Sequence, residues 1–244
     1  MSTSQIALSV MSYNIRHGEG MDHMYDANRI VEVIRASGAD IIGLQEVDRY
    51  YSARSNYEDT IAVLAERLGM HWCYGANVIH EPEPGRMQKR EYGIAILSKY
   101  KILSHQHYPL SSDESEQRGL LAAVLDVDRR NLHFYTTHLG LAQSERVEQV
   151  KEIINIVASH TMEPCIITGD FNAHPDSVEV ASMSPAFCSA FADEHDAFTF
   201  PAGNAVETLD YIFINHQTGN IEDRTVIHSS LASDHYPIAA TLLL

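Results

Sequence analysis

An α/β (α+β) fold, with two β-sheets packed face to face and helices outside them, is what this sequence predicts. Three observations point to it. Strand and helix patterns alternate near both ends of the chain. A run of strand patterns, a β-meander, lies between them. No linker, low-complexity tract or repeat of about 20–50 residues interrupts the 244 residues, so 1–244 reads as one domain. A chain of this length buries a substantial core without staples.

Taken in order, Ile6–Tyr13 alternates apolar and polar residues and predicts a strand. Asp26–Ala36 places Ile30, Val31, Val33 and Ile34 at helical spacing, and Gly38 ends that helix. Asp40–Glu46 is a short apolar run bounded by turn signals, hence a buried strand. Thr60–Leu68 is a second helix stopped by Gly69. Strand character then recurs over Trp72–Ile79, Tyr92–Ser98, Ile102–Tyr108, Leu120–Val127 and Leu132–His138. Segments 80–90 and 111–117 read as surface loops. Gln143–Ser159 carries Val147, Val150, Ile153, Ile154 and Val157 on one helical face. Cys165–Thr168 predicts a buried strand and Gly169–Pro175 a turn. Leu209–Asn215, Arg224–His228 and Tyr236–Leu243 complete the strands.

Composition narrows the classes of function. The three cysteines, Cys73, Cys165 and Cys188, are too few and too scattered for a disulfide framework or a metal knuckle. No apolar run is long enough to span a bilayer, and the N-terminus lacks the basic-then-apolar pattern of a signal peptide. The expectation is a soluble, cytoplasmic enzyme. A formal net charge of -16 repels a long polyanion at a distance, so nucleic acid is a possible partner but not the favoured one. Oligomeric state is not legible.

Six short fragments carry chemistry. Gly-Asp-Phe-Asn (169–172) follows an apolar strand, and residues two apart on extended chain face the same way, so Asp170 and Asn172 address one spot while Phe171 packs. Ser-Asp-His-Tyr-Pro (233–237) puts Asp234 and His235 at the leading end of the last strand, where a histidine can carry a proton near neutral pH. In Leu-Asp-Tyr-Ile-Phe (209–213) Asp210 heads an apolar strand; a buried carboxylate needs a partner, and an imidazole proton is a suitable one. Glu46 in Leu-Gln-Glu-Val closes a buried strand, a poor place for a carboxylate unless it meets a cation, and oxygen ligands suit Mg²⁺ or Mn²⁺. Asn14 in Ser-Tyr-Asn-Ile-Arg and His138 in Thr-Thr-His-Leu each end a strand. Any one fragment also reads as a polar turn or a cap.

The order Asn, Glu, His, Asp-x-Asn, Asp, Asp-His, each at a strand end, resembles the endonuclease/exonuclease/phosphatase superfamily, including its deoxyribonuclease-like and sphingomyelinase-like members, from Asn14 to His235. The resemblance implies a four-layer α/β-β/α sandwich of two packed mixed β-sheets flanked by helices. It implies hydrolysis of a phosphoester by water without a covalent intermediate, and Mg²⁺ (or Mn²⁺) as cofactor. Carried over, Glu46 looks like the main metal ligand with Asn14 beside it, and Asp234 like a further metal-proximal carboxylate. Asp170 resembles the residue that activates or orients water, and Asn172 the group that holds phosphoryl oxygens. His235 braced by Asp210 looks like one catalytic histidine. His138 resembles the one that stabilises the transition state or protonates the leaving group. Arg118 resembles a phosphate-contacting arginine, or pairs Glu116 as a loop residue. Glu91, Tyr92 and Thr199-Phe200-Pro201 resemble segments near the family's cleft. Thr208 and Leu209 depart from the basic residue and Ile that many small members carry there.

Three functions compete: a phosphodiesterase or phosphatase for a small molecule or lipid head group, a DNA or RNA nuclease with the same catalytic set, and a non-catalytic binding module. Size and acidity favour the first, with Arg16, Arg118 and Lys89-Arg90 as local phosphate contacts in the second. The third ranks last because every catalytic position is filled.

Overall fold

A computed structural model describes residues 6–160, 162–228 and 231–244. In chain order the elements are β1 (Ala7–Asn14), α1 (Ala27–Ser37), β2 (Ile41–Arg49), α2 (Thr60–Leu68), β3 (His71–His80), β4 (Arg90–Ser98), β5 (Lys101–Leu110) and β6 (Arg118–Val127). They continue with β7 (Arg130–His138), α3 (Gln143–Val157), β8 (Cys165–Asp170), the short α4 (Val178–Ala181), β9 (Cys188–Ser189), β10 (Asp210–Ile214), β11 (Asn220–Val226) and β12 (Ile238–Leu243).

Local signals account for most boundaries. Asp26 is the cap of α1 rather than its first residue, its carboxylate accepting from the Asn28 amide at 2.9 Å. Helices α1 and α2 end at Gly38 and Gly69, both left-handed. Two expectations are corrected. The turn expected from Gly169 begins two residues later, because Gly169 and Asp170 pair with Tyr211 and Asp210 and prolong β8. The strand expected over Arg224–His228 is β11, Asn220–Val226, an edge strand too polar to alternate visibly.

Two mixed six-stranded sheets pack face to face, ordered β11-β12-β1-β2-β4-β3 and β5-β6-β7-β8-β10-β9. Helices α1 and α2 bury Ile30, Val31, Ile34, Ile61 and Leu64 on the outer face of the first sheet, against Met11, Tyr13, Ile42 and Leu44. Helix α3 buries Val150, Ile153 and Val157 on the outer face of the second, against Tyr135 and Ile167. The arrangement is the four-layer sandwich.

The facing surfaces change character along the strands, and that gradient positions the site. At one end the inward residues are Val10, Ile41, Phe134, Ile166 and Ile214, a dry core. One step on, two residues further along each strand, stand Ser12, Gly43, Thr136 and Thr168. There the sheets approach so closely that a Cβ on Gly43 would lie 2.0 Å from Thr168 Oγ1. Gln45 Nε2 crosses between the sheets to Thr136 Oγ1 at 2.9 Å. A further step brings Asn14, His138, Asp170 and Asp210 to the open edge. Strand pairing aligns them: His138 lies beside Asp170 and Asp170 beside Asp210.

Candidate active site

Period-two alternation delivers these four side chains, and a bulge delivers a fifth, Glu46. Through Leu44, even-numbered residues of β2 face the helices. The β2–β4 register slips between Leu44 and Val47, and Glu46 has φ +57°. The extra residue reverses the parity, so Val47 returns to the helix side and Glu46 turns toward the strand-end cluster. A non-glycine residue in this region stores strain.

The centre of the cluster is one oxygen. Asp170 Oδ2 accepts from Asn14 Nδ2 at 2.9 Å, and the Nε2 atoms of His138 and His235 both lie 3.6 Å from it. Its Oδ1 accepts from the Asn172 amide at 2.9 Å. Asp170 is buried, and that burial, with Asp210 nearby, outweighs His235 and the hydrogen bonds and raises its carboxyl to about 6. Asn172, at φ +48°, ties its side-chain amide to Leu139 O at 3.0 Å.

The two histidines are held in opposite states. Burial disfavours the His235 cation, but Asp210 and Asp170 prevail and push it up to about 10. Asp210 Oδ2 accepts a hydrogen bond from His235 Nδ1–H at 2.8 Å, and the Phe200 ring centroid packs 4.8 Å from the imidazole. The loop around Phe200 is fixed to the same strand lead-in, through Tyr236 N to Thr199 O and Ala202 N to Asp234 O. His138, by contrast, sits well below its ordinary value, through burial first and then the charges of Arg118 and His235. Arg118 Nη1 donates to His138 Nδ1 at 3.3 Å. A guanidinium has no acceptor, so the neutral imidazole carries its proton on Nε2, toward Asp170.

Arg118 makes the expected pairing with Glu116 but is not a solvated loop residue. Its Nη1 also meets Glu116 at 3.0 Å, yet its side chain is buried and its Nε has no partner among the described residues. Glu91 pairs with Arg49 at 3.0 Å. Lys89 and Arg90 are engaged by Glu81 and Glu83. Ser233, whose hydroxyl the sequence pattern did not single out, ties the loop to β1 by donating to Asn14 O at 2.7 Å. Thr208 bonds Ala197 O at 2.9 Å, a structural contact.

Glu46 and Asp234 form the oxygen-rich flank. Burial first, and then the charge of Asp234, raise the Glu46 carboxyl against the hydrogen bond from Asn14. Arg16 Nε lies 3.5 Å from Asp234 Oδ2. Two carboxylates that repel one another suit a hard divalent ion. Asn14 turns its NH₂ to Glu46 at 3.0 Å, and its Oδ1 accepts from the Arg16 amide at 3.0 Å. In this orientation Asn14 braces the Glu46 carboxylate. Asp170, Asp210 and His235 also bring potential ligand atoms within 4.8 Å of one another. Of these, Asp210 Oδ2 and His235 Nδ1 already bond one another, and Asp170 Oδ2 already accepts from Asn14.

Residues 11–235 match the model of the Endonuclease/Exonuclease/phosphatase family. The chain belongs to that family. YbhP of Escherichia coli is 28% identical to this endonuclease/exonuclease/phosphatase chain over 262 aligned residues, covering 99% of it and 98% of YbhP. An endonuclease/exonuclease/phosphatase structure from Beutenbergia cavernae superposes with a TM-score of 0.84 at 22% identity, over 98% of this chain and 72% of that one. The Bacteroides thetaiotaomicron mannosyl-6-phosphatase Bt3783 superposes at 0.77 and 18% identity, over 97% and 99%. Members of the family are hydrolases acting on phosphoesters, and their fold is the sandwich described above.

Proposed function

We propose that this chain is a single-domain, divalent-metal-dependent hydrolase of small phosphoesters, diester or monoester, that directs water onto phosphorus without a covalent intermediate. The observation that carries this reading is the convergence of Asn14, His138 and His235 on Asp170 Oδ2. A carboxyl raised to about 6 is poised to accept a proton from water near neutral pH. His235, cationic and braced by Asp210, faces the negative charge that builds on the phosphoryl oxygens and can pass a proton to the departing oxygen. Neutral His138 offers Nε2–H as a hydrogen-bond donor, which favours charge stabilisation over proton delivery. Arg118 Nε, without a partner among the described residues, adds a second donor, and Asn172 completes the cradle. Glu46 and Asp234, with Asn14 as brace, would hold Mg²⁺ or Mn²⁺, which when bound supplies Lewis-acid stabilisation of the same charge.

Small substrates are favoured over nucleic acid by the net charge of -16. The name of one fold relative, a mannosyl-6-phosphatase, adds sugar phosphates to the monoesters worth assaying. The test is turnover of bis(p-nitrophenyl) phosphate, p-nitrophenyl phosphate and plasmid DNA with Mg²⁺, beside a chelated sample and His235→Ala. Ester turnover that chelation abolishes and His235→Ala lowers by about 10²–10⁴ is expected. Turnover indifferent to chelator overturns the metal-dependent reading, and DNA nicking lost in both controls replaces the small-substrate reading with a nuclease.

A further inference from the structure

Two residues past Glu46, β2 carries a second acid, Asp48, opposite Tyr92 in the β2–β4 register and fully buried. A buried carboxylate needs a partner. Arg54 donates to it from Nε at 2.9 Å and from Nη2 at 2.7 Å, and Ser55 Oγ donates at 2.7 Å. This clamp does not hide the arginine. The Arg54 side chain stays 36% exposed, and its Nη1 has no hydrogen-bond partner among the described residues. Its Cζ lies 4.2 Å from the Tyr51 ring centroid and 5.4 Å from that of Tyr92. The two rings are 6.0 Å apart, and neither hydroxyl is hydrogen-bonded among the described residues.

Tyr92 joins this cluster to the reacting centre. Its phenol is raised by burial first and then by Glu46 and Glu116, against Arg118 and Arg54, so the ring stands within reach of all four charges. His17 borders the same arginine and is held below its ordinary value by burial and then by Arg54. A guanidinium fixed along one edge, stacked on an aromatic face and free along the other edge is pre-organised for an oxyanion. Two phenol donors beside it complete such a site.

We propose that Arg54, Tyr51 and Tyr92 form a subsite for a second phosphate on the substrate, distinct from the one hydrolysed. The inference rests on the phosphoesterase reading, which puts the scissile group at Asp170. The second phosphate comes either from the neighbouring position of a nucleic-acid strand or from a small bisphosphorylated molecule. Titration calorimetry on the His235→Ala protein with Mg²⁺ separates the sources. Thymidine 3′,5′-bisphosphate is compared with thymidine 5′-monophosphate, and fructose 1,6-bisphosphate with fructose 6-phosphate. At least one bisphosphate binds about tenfold or more tightly than its monophosphate, the gain usual for a charged hydrogen bond, and Arg54→Gln brings that ratio near one. A preference in the thymidine pair alone assigns the strand, and in the fructose pair alone the small molecule. Ratios near one in both pairs, or a ratio that survives Arg54→Gln, overturn the subsite. Should Arg54→Gln fail to fold, Tyr51→Ala must lower the same ratio. The readout is equilibrium binding, so absent hydrolysis sinks the phosphoesterase reading without moving it.

Discussion

Asp210 gives one oxygen to His235 and keeps the other buried without a partner among the described residues. Its charge is therefore the residue's contribution, and Asp210→Asn removes it with little change of shape. The imidazole of His235 then titrates well below about 10, a shift followed by NMR of the ring protons; an unmoved midpoint would mean the charge of Asp170 suffices. In the metal-free protein both raised groups act on stability in one direction. Asp170, raised from 3.8 to about 6, binds more protons folded than unfolded across that window, and His235 does so from 6.5 to about 10. Unfolding free energy falls as pH rises through each window. The His235 part is whole below 6.5 and gone above about 10. Chemical denaturation in EDTA checks this: the stability difference between wild type and His235→Gln shrinks from pH 6.5 to 10, and a constant difference refutes the assignment. At this scale the sequence was legible for residue types with few bland uses, such as an Asp-His pair before a strand. Arg54 was not, because an arginine six residues from its acid looks like any surface charge until the bulge turns Asp48 inward.

Among elements, β2 and the glycine within it carry the sharpest consequences. Glu46 at φ +57° pays a conformational cost for its position. Glu46→Gly therefore unfolds at higher denaturant than Glu46→Ala, by about 1 kcal/mol, since only glycine relaxes there freely. An alanine variant as stable as the glycine variant would show that the strain lies elsewhere. Gly43→Ala pushes a methyl into Thr168 and Thr136 across the sheet interface and costs about 1–3 kcal/mol by overpacking, read from the same denaturation curves. Strand periodicity and helix caps were readable because each depends on neighbours in sequence. The bulge depends on how β2 meets β4, and the polar edge strand β11 on which sheet covers it, so neither left a local signature.

The whole molecule is an acid body with a polar site at one open edge of its core. With net charge -16, the long-range field opposes any anionic substrate, and salt relieves that opposition. For p-nitrophenyl phosphate, kcat/KM rises severalfold between about 10 and 150 mM ionic strength at fixed Mg²⁺. A fall would mean that arginines at the cleft mouth dominate the approach. The two-sheet architecture was legible because alternating patterns at both ends enclose a meander. The closeness of the sheets was not, since Gly43 and the two threonines reveal it only when they meet.

A strand's side chains repeat every two residues, so an odd insertion acts as a half-wavelength phase shift. Ahead of it β2 is written in one phase, with Ile42 and Leu44 toward the helices; behind it Val47 takes that side. Shortening the chain by one residue at the bulge would leave every remaining side chain chemically intact. It would nonetheless turn Val47 toward the acid cluster and Asp48 toward the helices. The address of the Glu46 carboxylate is thus written in arithmetic as well as in chemistry, and a change of length there is a change of meaning.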